Sequence, residues 1–249
     1  ASGWLALTGA DLDAKLDDLP LAPGQAFQLR HGQTLRFNSP KRGVRAYLAT
    51  PGGFAADPVM GAVATVMREH LGGLHGNGRG LHNGDLLQGK ASNAEPRTLP
   101  EGALWYPDDE VVLDLIPGAQ IASFAGASLF AAFNQNWTLD QRADRMGMRL
   151  TGAALRYQGQ ALISEGIPLG SVQVPPDGQP IILMNDRQTI GGYPRLGAVT
   201  PLSLARLAQC APGQKVRLRV VSQEAARREM LNVISTLQTQ SALPGLAHP

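Results

Sequence analysis

Short apolar runs separated by turn residues mark the first part of the chain. Residues 4–7, 27–37 and 44–48 carry apolar side chains singly or in short clusters, with Gly, Pro or polar residues between them. Runs of this length and spacing predict antiparallel β-strands. Residues 31–33, with glycine at the centre, predict a hairpin loop between two of these strands.

A longer periodic pattern follows and predicts the first helix. Asp57 is a good N-cap residue, and Pro58 suits the first helical position. Apolar residues then recur at helical spacing as far as Leu71, before Gly72 and Gly73. The pattern therefore predicts a helix that ends at the two glycines and has one apolar face.

Three further patterns predict helices in the second part of the chain. Leu129, Phe130 and Phe133 indicate a short amphipathic helix, and Thr200 followed by Pro201 is typical of a helix start. The last helix is predicted to begin at Ser222. Its apolar positions, which we expect to face inward, are Ala226, Met230, Val233, Ile234 and Leu237.

Residues 164–195 combine strand, turn and polar patterns in one stretch. Apolar residues around 172–174 and 181–183 predict two strands, and the sequence Pro-Pro-Asp-Gly at 175–178 predicts a tight turn between them. Polar residues 185–189 and a double glycine follow the second strand. Such a strand end presents side chains to a ligand, but a solvated surface loop has the same composition. The residues alone leave both interpretations open.

Composition and charge exclude several classes of protein. The 249 residues are 43% hydrophobic and 17% charged, which predicts a folded globular chain. The net charge is +2 and the arginines are scattered, so we expect no nucleic-acid partner. No apolar run is long enough to predict a membrane span. The single cysteine, Cys210, excludes an internal disulfide, and a cytoplasmic location is expected.

Two motifs in the first part of the chain resemble ligand sites but lack essential features. Gly84 to Lys90 match the spacing of a phosphate-binding loop, but Ala91 offers no hydroxyl and the next residues do not predict a helix. His75, His82 and Asp85 are metal-ligating residue types at a spacing that fits no standard site. We therefore predict neither a phosphate loop nor a metal site.

The remaining candidates lie in residues 144–193. Arginines there could hold a carboxylate or phosphate, a carboxylate could act as general base, and glutamines could bind an amide. Solvated surface ion pairs would use the same residue types. The chemistry alone leaves these alternatives open. The candidates are Arg145, Arg149, Glu165, Gln173, Asp186, Gln188, Thr189, Gly191, Gly192 and Tyr193.

Five blocks of sequence resemble a known family. They are LALTGADLDAKLDD at 5–18, RAYLATPGGF at 45–54, GRGLHNGD at 78–85, DRMGMRLTG at 144–152 and the whole of 164–195. In this order the blocks resemble the biotin-dependent carboxyltransferase family, also called the allophanate hydrolase subunit 2 or urea-amidolyase-related family. The family includes 5-oxoprolinase subunits.

The resemblance implies a mainly β fold with a few short helices. It predicts two cyclophilin-like β-barrel domains, at residues 1–100 and 101–221, followed by a C-terminal helix and tail at 222–249. The resemblance also implies that the family's opening segment is missing before residue 5, so the first barrel is expected to be incomplete.

The resemblance also implies a function in a multisubunit enzyme. The expected activity is ATP-dependent hydrolysis of 5-oxoproline to glutamate, together with A-like and B-like partner subunits and with ATP bound mainly by a partner. One alternative is a biotin-dependent carboxyltransferase acting on urea or another small amide, with biotin attached to a different chain or domain. Another is a non-enzymatic regulator that binds a B-like partner resembling a kinase inhibitor.

Combined with the chemistry of the candidates, the resemblance predicts roles for individual residues. Glu165 and Asp186 are the expected catalytic residues, and one or the other would handle the proton on the substrate nitrogen. Arg145 or Arg149 is expected to hold an anionic group, either the substrate carboxylate or an acyl-phosphate intermediate. The other predicted substrate-binding residues are Gln173, Gln188, Thr189, Gly191, Gly192 and Tyr193.

Overall fold

The computed structural model describes residues 3–93, 95–97, 99 and 103–241, and of residues 237–241 it describes the backbone. The chain forms two compact units, Ala1–Trp105 and Tyr106–Pro249. The C-terminal helix belongs to the second unit. No helix in the described part is both long and apolar enough to cross a membrane.

The first unit contains two three-stranded antiparallel sheets. Its strands are β1 Gly3–Asp11, β2 Lys15–Leu16, β3 Leu19–Pro20, β4 Gln25–Leu29, β5 Leu35–Arg36 and β6 Arg42–Ala49. The sheet orders are β4-β1-β6 and β3-β2-β5. Alternate residues of these strands point to one side, and Leu7, Leu21 and Phe27 meet there in a small apolar core.

The predicted hairpin at residues 31–33 is wrong, because the strands on either side belong to different sheets. Strand β4 pairs with β1, and β5 pairs with β2. Asp17 directs the chain away from β4, since its carboxylate accepts hydrogen bonds from the Thr34 backbone N–H at 2.8 Å and from Gln33 Nε2 at 2.9 Å. Asp17 N–H also donates to the Thr34 carbonyl at 2.7 Å.

The helix predicted to end at Leu71 is also wrong. Two tight turns replace it, closed by bridges between Val59 and Ala62 and between Val66 and Leu71. The glycines after it pack backbone against backbone: a Cβ on Gly72 would lie 2.0 Å from the carbonyl oxygen of Ala64. These contacts give the backbone N–H and C=O groups partners that a helix would have provided internally. The helically spaced apolar residues therefore form no buried helix face.

The second unit is built on a closed seven-stranded barrel, which confirms the predicted mainly β fold. The strands of this unit are β7 Glu110–Pro117, β8 Trp137–Leu139, β9 Gly147–Thr151, β10 Glu165–Gly166, β11 Ser171–Gln173, β12 Ile181–Leu183, β13 Ile190–Gly191, β14 Arg195–Val199 and β15 Lys215–Val220. The barrel order is β11-β12-β9-β8-β15-β7-β14. Strands β10 and β13 form a separate two-stranded ribbon.

Aliphatic side chains from alternating strand positions fill the barrel. Leu113, Leu150, Ile182 and Leu218 are completely buried there. The Trp137 ring is buried as well, and its Nε1–H donates to the Ala132 carbonyl at 3.1 Å. The barrel is therefore a packed core without room for a ligand along its axis.

Three α-helices occur in the described part of this unit: α1 Gly126–Asn134, α2 Pro201–Leu207 and α3 Gln223–Ser241. A short 3₁₀ helix, Ile121–Ser123, precedes α1. The predicted cap of α2 is present, because Thr200 Oγ1 accepts a hydrogen bond from the Ser203 backbone N–H. Ser203 Oγ in turn accepts one from the Asp114 backbone N–H of β7 at 2.8 Å, which fixes α2 on the barrel.

The expectation that the apolar residues of α3 face inward fails for Val233 and Ile234, and Leu237 lies outside the residues whose side chains are described. Ala226 and Met230 are half-buried, but Val233 and Ile234 are 37% and 38% exposed. Arg206 of α2 pairs with Glu229 at 3.3 Å and holds the early part of α3 against the unit. The apolar positions of α3 therefore continue beyond the part of the helix that packs against the unit.

Candidate functional site

Three residues stand in one row across neighbouring barrel strands. Gln173 of β11 is opposite Ile181 of β12, and Ile181 is opposite Arg149 of β9. Residues in register point to the same face of a sheet. Their neighbours Met148, Val172 and Ile182 are buried in the barrel. Because successive side chains alternate, the row lies on the outer face of the barrel.

A covering segment, residues 184–194, lies over this row. The Met184 N–H donates to the Met146 carbonyl, and the Val174 N–H donates to the Pro194 carbonyl, each at 2.9 Å. Gly191 lets the segment approach closely, since a Cβ there would lie 2.5 Å from Ile167 Cδ1 and 3.2 Å from Gln173 Nε2. The covering segment therefore leaves Gln173 only 2% exposed, although it lies outside the barrel.

The donor pocket is a cavity of about 280 Å³ between the row and the covering segment. Met146, Ile181 and Leu183 give it an apolar floor. Polar side chains of Arg149, Gln173, Gln188 and Tyr193 also line it. A small apolar cavity with few polar groups is the usual form of a small-molecule site.

Two buried hydrogen-bond donors in this pocket lack a partner among the described residues. They are Arg149 Nε and Gln173 Nε2. Arg149 Nη2 contacts the carboxylate of Asp177, and Gln188 Nε2 lies 3.5 Å from Gln173 Oε1, which is a weak hydrogen bond. Leaving a buried donor unsatisfied costs about 1–3 kcal/mol. Both groups are donors on side chains that line the pocket, and an acceptor oxygen is the group that would satisfy them.

Of the predicted substrate-binding residues, the pocket brings together Arg149, Gln173, Gln188 and Tyr193. The others have structural contacts around it. The Thr189 carbonyl accepts a hydrogen bond from the Ile167 N–H at 2.9 Å. Gly191 and Gly192 lie in the covering segment, where a Cβ on Gly192 would lie 3.1 Å from the Leu162 carbonyl oxygen.

Arg145 and Asp186, predicted as a binding and a catalytic residue, do not line the donor pocket. The guanidinium of Arg145 donates to both oxygens of Asp186, at 2.7 and 3.1 Å, and the Asp186 N–H donates to the Arg145 carbonyl at 2.9 Å. The hydrogen bond to Asp186 raises the pKa of Arg145. This pair fastens the covering segment to the loop before β9.

Glu165, the other predicted catalytic residue, is also outside the donor pocket. It lies on β10, opposite Gly191 of β13. One of its oxygens accepts hydrogen bonds from Arg195 Nη2 at 2.5 Å and from Gln120 Nε2 at 2.8 Å. The structure thus gives Glu165 and Asp186 different arginine partners. Their catalytic roles stay predictions.

Two acidic residues for which the sequence predicted no site role organise the pocket. Asp177, interpreted only as part of the tight turn, pairs with Arg149. Asp144 accepts hydrogen bonds from the backbone N–H groups of Met146 and Gly147, at 2.8 and 3.0 Å, and shapes one wall. The Asp-x-Met-Gly spacing is a local signal for the second contact. The first contact depends on strand register, which local sequence does not specify.

The polar residues of the first unit form a local network. Asp85 accepts hydrogen bonds from the His82 backbone N–H at 2.7 Å and from Arg79 at 2.7 Å, and it lies 3.1 Å from His75. The backbone hydrogen bond is the largest cause that lowers the pKa of Asp85 to about 2. The described residues contain no group of three or more His, Cys, Asp or Glu arranged to hold a metal.

Residues 1–220 match the protein family described as carboxyltransferase domain, subdomain A and B. The chain belongs to this family. The match covers both units, including the barrel, the row on its outer face and the covering segment.

Known members of the carboxyltransferase-domain family are similar over most of the chain. The C subunit of 5-oxoprolinase from Escherichia coli K12 is 39% identical over 90% of this chain and 71% of its own length. The Haemophilus influenzae protein of the same name is 37% identical over 92% of this chain and 73% of its own. The crystal structure of Kluyveromyces lactis urea amidolyase superimposes on 96% of this chain with a TM-score of 0.88, at 21% identity. The chain spans 16% of that enzyme, and the likeness shows the shared fold.

Proposed function

We propose that this chain is a subunit of an ATP-dependent complex that hydrolyses 5-oxoproline to glutamate. The donor pocket would hold the acceptor oxygens of the substrate. The two bacterial relatives at 37–39% identity support the complex, because both are named as subunits of 5-oxoprolinase. Chains of the A-like and B-like types would be the partners.

The observation that carries the proposal is the pair of buried donors without a partner in the described structure, Arg149 Nε and Gln173 Nε2. In 5-oxoproline, the oxygens of the carboxylate and of the lactam carbonyl are hydrogen-bond acceptors. They could accept hydrogen bonds from these two donors. The Arg149 guanidinium, although paired with Asp177 through Nη2, is a planar fork of N–H donors that suits a carboxylate. The apolar floor suits the ring methylenes.

Opening the lactam breaks the bond between the carbonyl carbon and nitrogen, adds a water oxygen to the carbon and leaves a proton on nitrogen. In this proposal Arg149 and Gln173 orient the substrate, and Gln188 and Tyr193 close the pocket around it. Glu165 or Asp186 would handle the proton, as predicted from the sequence. ATP would supply the free energy of the reaction.

ATP is assigned to a partner chain in this proposal. Residues 84–90 have the spacing of a phosphate-binding loop, but they form turns and an isolated bridge, and residues 91–93 carry no helix. A phosphate loop of that type depends on a helix N-terminus directed at the phosphates. These residues therefore do not fit the nucleotide.

The test is ADP release by the mixed subunits, with 5-oxoproline or urea as substrate. We expect turnover with 5-oxoproline. Arg149→Lys should raise KM about ten-fold or more, because lysine lacks the Nε–H donor and a hydrogen bond to a charged group contributes about 1.5–3 kcal/mol. Arg217→Lys is the matched control, since Arg217 pairs with Glu110 at 3.0 Å away from the pocket.

Other outcomes would overturn the proposal. Turnover with urea alone would favour a carboxyltransferase that uses biotin carried elsewhere. Absence of ATP turnover with either substrate, in a complex that assembles, would favour the regulatory alternative. An unchanged KM for 5-oxoproline in Arg149→Lys would remove the donor pocket from substrate binding.

A further inference from the structure

Asp144 supplies a carboxylate to the wall of the donor pocket. Among the described residues that line this cavity, it is the acidic one. Its Oδ1 accepts hydrogen bonds from the backbone N–H groups of Met146 and Gly147, at 2.8 and 3.0 Å. Met146 and Gly147 line the pocket as well. The carboxylate that binds their N–H groups is therefore held at the pocket wall.

The second oxygen of this carboxylate, Oδ2, has no hydrogen-bond partner among the described residues. The arginines nearest to Asp144 in sequence are engaged elsewhere. Arg142 pairs with Asp140, and Arg145 pairs with Asp186. Asp144 is also exposed, so a ligand in the donor pocket can reach it.

Asp144 adds a charged acceptor to a pocket that otherwise offers two unpartnered donors. Arg149 Nε and Gln173 Nε2 donate, whereas an ionised carboxylate only accepts. A ligand that satisfies all three groups carries acceptor oxygens and at least one polar hydrogen. 5-Oxoproline has this combination, because its carboxylate and lactam carbonyl are acceptors and its ring N–H is a donor.

The two predicted catalytic carboxylates are not placed for this contact. Neither Glu165 nor Asp186 lines the donor pocket. Glu165 accepts from Arg195, and Asp186 accepts from Arg145. Asp144 is the carboxylate that lines the pocket and has an oxygen left for the ring nitrogen.

We propose that Asp144 is a specificity-determining residue, which accepts a hydrogen bond from the lactam N–H of the substrate. This inference rests on the proposed function and names the group that recognises the ring nitrogen. The contact is made in the bound substrate before any bond breaks, so it is separate from the proton transfer predicted for Glu165 or Asp186. A ring with oxygen in place of N–H would lose this hydrogen bond and turn a lone pair towards the carboxylate.

The test compares 5-oxoproline with its lactone analogue, 5-oxotetrahydrofuran-2-carboxylate, in which oxygen replaces the ring N–H. Each ligand is titrated calorimetrically into the assembled complex without ATP, and the readout is the ratio of the two Kd values. The wild type should bind the lactone about ten-fold or more weakly, because a hydrogen bond to a charged group is lost. Asp144→Asn should reduce this preference about ten-fold. Asparagine Oδ1 can still accept from Met146 and Gly147, but its Nδ2 is a donor.

Asp11→Asn is the matched control. Asp11 Oδ1 also accepts a backbone hydrogen bond, from the Asp13 N–H at 3.0 Å in the first unit. The control removes the same charge and should keep the wild-type ratio. If Asp144→Asn does not fold, Asp144→Ser keeps a short side-chain acceptor for the backbone N–H groups without the carboxylate.

The ratio separates recognition of the N–H from a structural role, since a merely structural Asp144 would affect both ligands equally. An unchanged ratio in a folded Asp144 variant would overturn the inference and leave the proposed function standing. An equal fall of the ratio in Asp11→Asn would overturn it too. A wild-type complex that does not bind 5-oxoproline would overturn the inference and the proposed function together.

Discussion

Gln173 should contribute to ligand binding at the expense of stability, and Gln173→Leu tests this. The side chain is 2% exposed, its Nε2 has no partner among the described residues, and its Oε1 has one weak contact at 3.5 Å. Leucine has a similar volume and needs no hydrogen bond. The variant should therefore be more stable than the wild type and should bind 5-oxoproline less tightly.

The magnitude follows from the contacts that change. Removing an unsatisfied buried donor recovers about 1–3 kcal/mol, and loss of the weak contact with the partly exposed Gln188 costs well under about 1 kcal/mol. We expect a net gain of about 1–2 kcal/mol in the free energy of unfolding. In a unit of this size the gain corresponds to a Tm higher by about 2–8 °C. Loss of a hydrogen bond to the ligand should weaken binding about ten-fold.

The assay is urea unfolding of the free chain together with calorimetric titration of 5-oxoproline into the assembled complex. Gln214→Leu is the matched control for stability. Gln214 Nε2 already donates to the backbone carbonyls of Asp108 and Asp109, at 2.5 and 3.1 Å, so this variant should lose about 1 kcal/mol. If Gln173→Leu lost stability as well, Gln173 would be a satisfied structural residue, and the argument for the donor pocket would fail.

Three further predictions concern the surroundings of the site and the first unit. Arg145→Asp and Asp186→Arg should each weaken 5-oxoproline binding by loosening the covering segment, and the double exchange should restore part of the binding. A double variant that binds 5-oxoproline but does not turn it over would instead show that Asp186 is catalytic. Gly178→Ala should lose about 2 kcal/mol more in unfolding free energy than Gly213→Ala. Both glycines have positive φ, but only a Cβ on Gly178 would meet backbone atoms, the Leu155 N and O at 2.8 Å. Equal losses in the two variants would refute this reasoning. Asp85 has a folded pKa of about 2, below its unfolded value, so its contribution to stability is present above about pH 4 and is lost as the pH falls towards 2. The difference in urea midpoint between wild type and Asp85→Asn should therefore shrink over that range, and a constant difference would contradict the assignment.

Local sequence predicted the elements whose partners are close in the chain. The hairpin of β11 and β12 and the cap of α2 both depend on contacts within a few residues. The pattern ending at Leu71 failed because glycines further along the chain offered its backbone other partners. The site was predicted in part: Arg149 and Gln173 share a pocket only through the register of β9, β12 and β11. The same register places Asp177 beside Arg149, and spacing along the chain carries no signal for it.

The parallel pairing of β7 with β15 has a consequence for the order of folding. Among the described barrel strands this is the parallel pair, and it joins the first strand of the barrel to the last. Arg219 and Asp114, which bridge these strands through two hydrogen bonds, are 105 residues apart in sequence. A growing chain on the ribosome can pair one edge of β7 with β14, but it must hold the other edge unpaired until β15 emerges. We expect the β7 amides on the edge facing β15 to gain protection from hydrogen exchange late, in the step that closes the barrel.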